Sequence, residues 1–194
     1  MTAQAFIITY LICAIPFGLV ISKFILKKDL RKIGSGSTGT TNVLRTGSKL
    51  AAAATLALDA LKPLAAWWIL GAPDDPKAKM FIAAVAVFAH CYPVYLNFKG
   101  GKGVATAWGT MWMFSTVFAL AAIAVWIIVL ALSRKSSLSA LTACVFVPLW
   151  AWFFTGSADL AWFYSGLVVF VLFRHTSNIK RLLAGKEDNV KFKQ

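Results

Sequence analysis

The chain has 194 residues, 59% of them hydrophobic and 14% aromatic. That excludes a soluble domain of this length and points to a membrane protein. Lysine and arginine total 20 against 7 acids, a formal charge of +13. Because the basic residues are interleaved with long apolar runs, a positive-inside bias accounts for them better than nucleic-acid binding, with anionic substrates or head groups adding to the need.

Residues 5–22 carry no charge and are long enough to span a bilayer. The basic cluster Lys23, Lys27, Lys28, Arg31 and Lys32 follows this run instead of preceding it. That order reverses a secretory signal peptide and predicts an uncleaved first span with its N-terminus outside. Next comes IGSGSTGTTN, 33–42, in which Gly34, Gly36 and Gly39 spell G-x-G-x-x-G. A dinucleotide turn needs a strand before it and a helix after it in a βαβ unit. Neither fits here. Glycines still let backbone N–H groups face an anion, and Ser35, Ser37, Thr38, Thr40 and Thr41 add hydroxyls, with Arg45 just beyond. The stretch reads as a phosphate cradle at a membrane surface, against the plainer reading of a flexible polar loop.

Residues 50–70 form a second span, interrupted by Asp59 and Lys62, whose i, i+3 spacing lets them pair. Residues 80–96 form a third. Then FKGGKGVAT, 98–106, sets Lys99 and Lys102 among Gly100, Gly101 and Gly103 directly before an apolar run. A helix start, bare backbone and a lysine make a second anion site. It is not a Walker A loop, since Lys102 has no Ser or Thr after it; a basic interfacial turn is the bland alternative.

Further spans are expected over 136–158 and 160–173. RKSSLS, 134–139, offers Ser136 and Ser137, which either join a site or cap the next helix. FRHTSNIKRLLAGKE, 173–187, places His175 and Asn178 three apart, on one face if helical, flanked by Arg174 and Arg181. His175 suits an acid, base or orienting donor, or a merely solvated ring. Cys13, Cys91 and Cys144 have neither disulfide nor zinc spacing and read as small buried residues; His90, Cys91 and His175 are a poor metal set.

Loop charge sets the threading. All basic residues except Lys62, Lys77 and Lys79 fall in the clusters 23–49, 99–102, 134–135 and 174–193. If every cluster is cytoplasmic, an even number of crossings joins each neighbouring pair. Residues 103–133 must then go out and back, yet as one helix they reach only about 46 Å against a hydrocarbon core of about 30 Å. A half-helix over 103–113, a turn near Phe114–Thr116 and a fuller helix to about 132 resolve this, if protein shelters the short piece. The expectation is an all-α membrane protein, one domain over 1–194, with seven transmembrane helices including the half-helix, N-terminus outside and C-terminus cytoplasmic.

GSGSTGTTNVLR at 34–45, FKGGKGVAT at 98–106 and HTSNIKRL at 175–182 together resemble one family: the bacterial integral-membrane glycerol-3-phosphate acyltransferases that use acyl phosphate. IPFG at 15–18, LDALK at 58–62, HCYPVY at 90–95 and SSL at 136–138 extend the likeness along nearly the whole chain. Ser37, Thr38, Thr40 and Pro63 depart from the family's usual Asn, Pro, Ala and Gly, which bears on fine substrate preference. The resemblance implies acyl transfer from acyl phosphate to the 1-hydroxyl of sn-glycerol 3-phosphate, giving lysophosphatidic acid and phosphate. It implies a seven-helix fold in the bacterial inner membrane with its site facing the cytoplasm. It also implies no cofactor, no metal, no nucleic acid, contact with membrane lipid, and transient contact with the enzyme that makes acyl phosphate.

Carried over as catalytic are Ser35, Lys102, His175 and Asn178. Gly34, Gly36, Thr41, Asn42, Arg45, Lys99, Gly100, Gly101, Gly103 and Ser137 are expected to bind substrate phosphate. Two glycine-rich basic loops suit two phosphates held side by side. The rival from another class is a small transporter or channel for a phosphorylated solute, and a second is a scaffold that binds anionic lipid. The polar motifs gather on one face instead of near the midplane, which favours the enzyme.

Overall fold

The computed structural model describes residues 2–190; Lys191 and Lys193, part of the last basic cluster, lie outside the described residues. The chain divides into two compact units, the first running to Thr110 and the second starting at Met111. Among the described residues every regular element is helical.

In the first unit, helix α1 covers Ala3–Cys13, capped by Thr2, whose hydroxyl accepts from Ala5 N–H. Ala5, Thr9 and Cys13 recur every fourth residue and are buried, while Phe6, Ile7 and Leu11 face outward, as a hydrocarbon surrounding requires. The single run expected over 5–22 is interrupted. Proline disfavours the α conformation in the residue before it and lacks an N–H, so the chain breaks at Ile15–Pro16. It resumes as α2, Phe17–Val20, and widens into a π-helical turn, Ile21–Ile25.

A short helix α3, Thr40–Leu44, leads to α4, Lys49–Ile69, capped by Ser48. α5 covers Pro76–Cys91, with Asp75 as its cap and Pro76 in the first turn, where a missing N–H costs nothing. α1 packs on α4 and α5, and α3 on α4. Small buried residues, Ala51, Ala52, Ala60 and Ala66 on α4 with Ala83, Ala86 and Ala89 on α5, let these backbones approach closely.

Pro63 lies inside α4. Its missing N–H frees the Asp59 carbonyl one turn earlier, and the Thr106 hydroxyl donates to that carbonyl at 3.1 Å. Thr106 belongs to α6, Val104–Met111. A Cβ on Gly109, one turn further along α6, would overlap the Ala60 carbonyl. So α6 touches α4 at two points, and glycine is required at one of them. This short helix falls where a half-helix is expected over 103–113. At 8 residues it spans roughly 12 Å, well short of a hydrocarbon core of about 30 Å.

The second unit stacks α7 (Thr116–Ser133) on α8 (Ser136–Thr155) and α8 on α9 (Ala158–Arg174). Ser115 and Ser157 cap α7 and α9. Arg134 and Gly156 take left-handed conformations, φ 55° and 69°, at the two tight turns. Phe118 and Tyr164 meet edge to face at 5.1 Å in its core. α9 bends by 65° into α10, Thr176–Leu183.

Among the described residues, five helical segments are long and apolar enough to cross a membrane, or six with the bent α9–α10 pair. The chain is thus an all-α, multi-pass membrane protein.

Candidate active site

The first glycine-rich loop is pinned at both ends. Leu30 and Val43 are fully buried in a small core with Leu19, Ile21, Ala51 and Ala52. Asp29 caps the 3-10 turn Leu30–Lys32, and its carboxylate accepts from Arg31 N and Nε, each at 3.0 Å. The Arg31 hydrogen bonds hold the Asp29 carboxyl down at about 2. Gly34 and Gly36 sit at φ 52° and 69°, the left-handed region that a side chain disfavours. A Cβ on Gly34 would also strike the Arg45 guanidinium and Asn42 Oδ1, which places both against the loop. A Cβ on Gly18 would overlap the Thr38 carbonyl, so α2 and the loop can meet only because Gly18 has no side chain.

Asn42 is the clip. It is buried, and its Oδ1 accepts from Ser35 N–H at 3.3 Å. Its Nδ2 donates to the carbonyls of Leu30 and Ser37 at 3.0 and 2.8 Å. The expected substrate ligand is therefore also the side chain that shapes the cradle. Thr40 Oγ1 is buried without a hydrogen-bond partner. Ser35 and Arg45 are exposed at the loop's surface.

The second loop follows α5. Asn97 and Phe98 are left-handed, φ 48° and 61°, and Gly103 turns the chain into α6 at φ 86°. Gly100 N–H donates to the Cys91 carbonyl and Gly101 N–H to the His90 carbonyl, each at 3.1 Å. A Cβ on Gly100 would overlap the His90 carbonyl and Pro93, and one on Gly101 would overlap the His90 imidazole. Sequence reasoning expected these amides to face an anion. Instead they satisfy the last carbonyls of α5, which every helix end must pair. The glycines serve close approach; of the loop's two lysines, Lys99 is exposed and Lys102 half-buried.

In the second unit His175 and Asn178 are both buried at the bend between α9 and α10. His175 Nδ1 lies 2.8 Å from the Val171 carbonyl. A carbonyl only accepts, so Nδ1 carries a proton. Asn178 Nδ2 donates to Glu187 Oε1 at 2.6 Å, Ser137 Oγ donates to the same oxygen at 2.5 Å, and Arg181 Nε donates to Oε2 at 2.6 Å. Burial pushes the Glu187 carboxyl up, but these three hydrogen bonds and the Arg181 charge outweigh it and hold it below the ordinary glutamate range.

Ser137, Asn178 and Arg181 thus meet on one carboxylate, that of Glu187. Sequence reasoning gave Glu187 no role, although an acid inside a basic tail is the signal that marks it. Reasoning also paired Asp59 with Lys62, which the structure shows at 2.8 Å, but missed His90 beside them.

These features define an α-helical, multi-pass membrane protein with two braced, basic, glycine-rich loops and a buried His-x-x-Asn corner. The chain belongs to the glycerol-3-phosphate acyltransferase family, which residues 3–185 match. It is 45% identical over 192 residues to the glycerol-3-phosphate acyltransferase of Bordetella pertussis, covering 95% of this chain and 89% of that one. The corresponding protein of Dinoroseobacter shibae is 48% identical over 181 residues, covering 93% and 89%. In three dimensions it is similar to the crystal structure of PlsY (YgiH), an integral membrane glycerol 3-phosphate acyltransferase. For the glycerol 3-phosphate form the TM-score is 0.87, with 34% identity over 97% of this chain and 94% of that one. For the lysophosphatidic acid form it is 0.86, with 33% identity over 96% and 93%.

Proposed function

We infer that this protein transfers a fatty acyl group from acyl phosphate to the 1-hydroxyl of sn-glycerol 3-phosphate, releasing lysophosphatidic acid and inorganic phosphate. Family membership across residues 3–185 carries the reading. In the reaction the glycerol oxygen attacks the acyl carbonyl carbon, the bond from that carbon to the phosphate oxygen breaks, and the hydroxyl proton ends on the departing phosphate. The mixed anhydride is already activated. Many thioester-using acyltransferases carry H-x-x-x-x-D, but here Tyr95 and Lys180 stand five residues after His90 and His175. Assistance by the donor's own phosphate replaces a histidine–aspartate pair.

The residue roles follow from chemistry and motif. Ser35 places the reactive end of a substrate. Gly34, Gly36, Thr41, Asn42 and Arg45 form one phosphate cradle. Lys99, Gly100, Gly101 and Gly103 shape the loop that offers Lys102 to a second phosphate, where a fixed ammonium stabilises developing charge. His175 and Asn178 orient glycerol 3-phosphate, with Ser137 assisting. The whole chain works as one acyltransferase domain in the inner membrane, near the enzyme that supplies acyl phosphate. Counting α6 as a half-span gives seven helices, with the N-terminus outside and the site facing the cytoplasm. Positive loop charge supports that orientation.

Purified protein in detergent, given acyl phosphate and glycerol 3-phosphate, should release phosphate and form lysophosphatidic acid. Phosphate release that ignores glycerol 3-phosphate would reduce the activity to hydrolysis. Comparable turnover with acyl-CoA or acyl-carrier protein at matched chain length would defeat the donor assignment. For the topology, external cysteine labelling should reach positions near Asp75 and Asp159 but none near Ser37, Gly101, Ser136 or Lys186. Labelling at 136 removes the seven-span count.

A further inference from the structure

Three ionisable side chains of the first unit meet inside the apolar helices. Lys62 Nζ lies 2.8 Å from Asp59 Oδ1 and 2.7 Å from His90 Nδ1. His90 Nδ1 is 3.6 Å from the same carboxylate oxygen. Asp59, Lys62 and His90 are 1%, 3% and 7% exposed. Burying such groups costs several kcal/mol per ion before pairing, and well-packed apolar residues often do as well or better. Stability alone is a weak reason for a chain to hold them.

Their contacts supply a better one. Lys62 Nζ also donates to the Ile15 carbonyl at 3.4 Å, at the break that precedes α2. Two residues into α2, Gly18 lies against the Thr38 carbonyl of the first loop. In the other direction, the His90 carbonyl accepts from Gly101 N–H, and His90 Nε2 faces the position a Gly101 side chain would take. The next residue is Lys102.

The short Lys62–His90 distance leaves room for one proton between the two nitrogens. Two nitrogens 2.7 Å apart cannot both donate along one line, and lysine is the stronger base. The Lys62 ammonium therefore donates to Asp59 and to His90 Nδ1. That arrangement makes His90 the neutral tautomer with its proton on Nε2, beside Gly101. One positive and one negative charge remain, and they balance.

We propose that Asp59, Lys62 and His90 form a positioning triad that sets the two glycine-rich loops in register, through Ile15 and α2 on one side and through His90 and Gly101 on the other. The triad acts through the loops, as positioning residues. The inference rests on the acyltransferase reading above, in which those loops bind the substrate phosphates.

Two measurements on the purified full-length enzyme test it. Nitrogen-15 spectra of histidine-labelled protein, with His175 identified from a His175→Gln sample, should show His90 as the neutral Nε2–H tautomer. An imidazolium or an Nδ1–H tautomer overturns the triad. The second is the double variant Asp59→Leu with Lys62→Met, which removes the buried charges at similar volume. It should unfold at or above the wild-type temperature, yet lose at least tenfold in kcat/KM with KM raised for a phosphate-bearing substrate. A stable double variant with wild-type kcat/KM makes the group a structural ion pair and refutes positioning. If that variant does not fold, the tautomer of the wild type still decides. Wild-type acyl transfer is assayed in the same preparation: its absence sinks the acyltransferase reading, whereas the tautomer reports on the triad alone.

Discussion

Asn42→Ala tests whether the first cradle depends on its clip. The change removes three hydrogen bonds, from Ser35 N–H and to the Leu30 and Ser37 carbonyls, at a side chain that is 2% exposed. Each net hydrogen bond contributes about 0.5–1.5 kcal/mol, and a buried group left unpaired costs about 1–3. The closed loop should therefore lose about 2–4 kcal/mol. Leu30 and Val43 remain in their core, so the loss falls on the loop's conformation more than on the fold. Apparent affinity scales with the fraction of molecules in the competent state, and each ~1.4 kcal/mol is tenfold. Allowing that part of the loss is absorbed before the loop opens, kcat/KM should fall by about 10- to 100-fold. Thermal unfolding in detergent should move little. Asn42→Asp is the sharper control. It keeps the volume and the acceptor for Ser35 N–H but turns an oxygen toward two carbonyls, and should be at least as damaging. Phosphate-release kinetics with each substrate varied in turn give the numbers. A kcat/KM within twofold of wild type in Asn42→Ala would refute the clip.

Lys102→Ala and Arg45→Ala should each reduce turnover while leaving the protein extractable, because a positioned charge on a reacting phosphate is worth about 2–4 kcal/mol in the transition state. Wild-type turnover in Lys102→Ala would remove the second loop from the site. Glu187 is held below its ordinary value of 4.5, so its stabilisation is present above that pH and is lost as pH falls from there through the folded value. Hydrogen exchange over 176–190, corrected for intrinsic rate, should show protection lost on acidification through that window. Glu187→Gln should lack the transition, and a pH-independent wild type would contradict the assignment. Thr106→Val leaves the Asp59 carbonyl unpaired and should cost about 1–3 kcal/mol, read as a lower unfolding midpoint; no change would mean that another donor takes its place.

Local signals carried far in this sequence. Long, mostly apolar runs gave the long helices because hydrocarbon demands them. The counting of basic loops produced the short α6, since 31 residues between Lys102 and Arg134 are too few to cross about 30 Å twice. The glycine spacing marked both loops and the Asp59–Lys62 spacing gave their pairing. What stayed hidden depends on partners distant in sequence. His90 reaches Lys62 across 28 positions, and Glu187 reaches Ser137 across 50. No periodicity encodes such meetings. The break at Ile15–Pro16 was legible in principle, but the length of the apolar run concealed it.

Pro63 shows how a departure from family pattern becomes intelligible only with its partner. The family's usual glycine at this place would keep an N–H for the Asp59 carbonyl. Proline removes it, in the turn of α4 that holds two buried charges. Alone, that reads as damage. The Thr106 hydroxyl supplies the missing donor, and Gly109 lets α6 come near enough for it to reach. Thr106 closes the FKGGKGVAT stretch, so the short helix that follows Lys102 is tied to the backbone beside the Asp59–Lys62–His90 cluster. A proline that looks like a liability in one helix thus gives the second loop's helix a hydrogen-bonded anchor. The coupling explains why a substitution at 63 and the threonine at 106 should be judged together: restoring Gly at 63 makes Thr106→Val tolerable, whereas with Pro63 in place the same change strands a buried carbonyl.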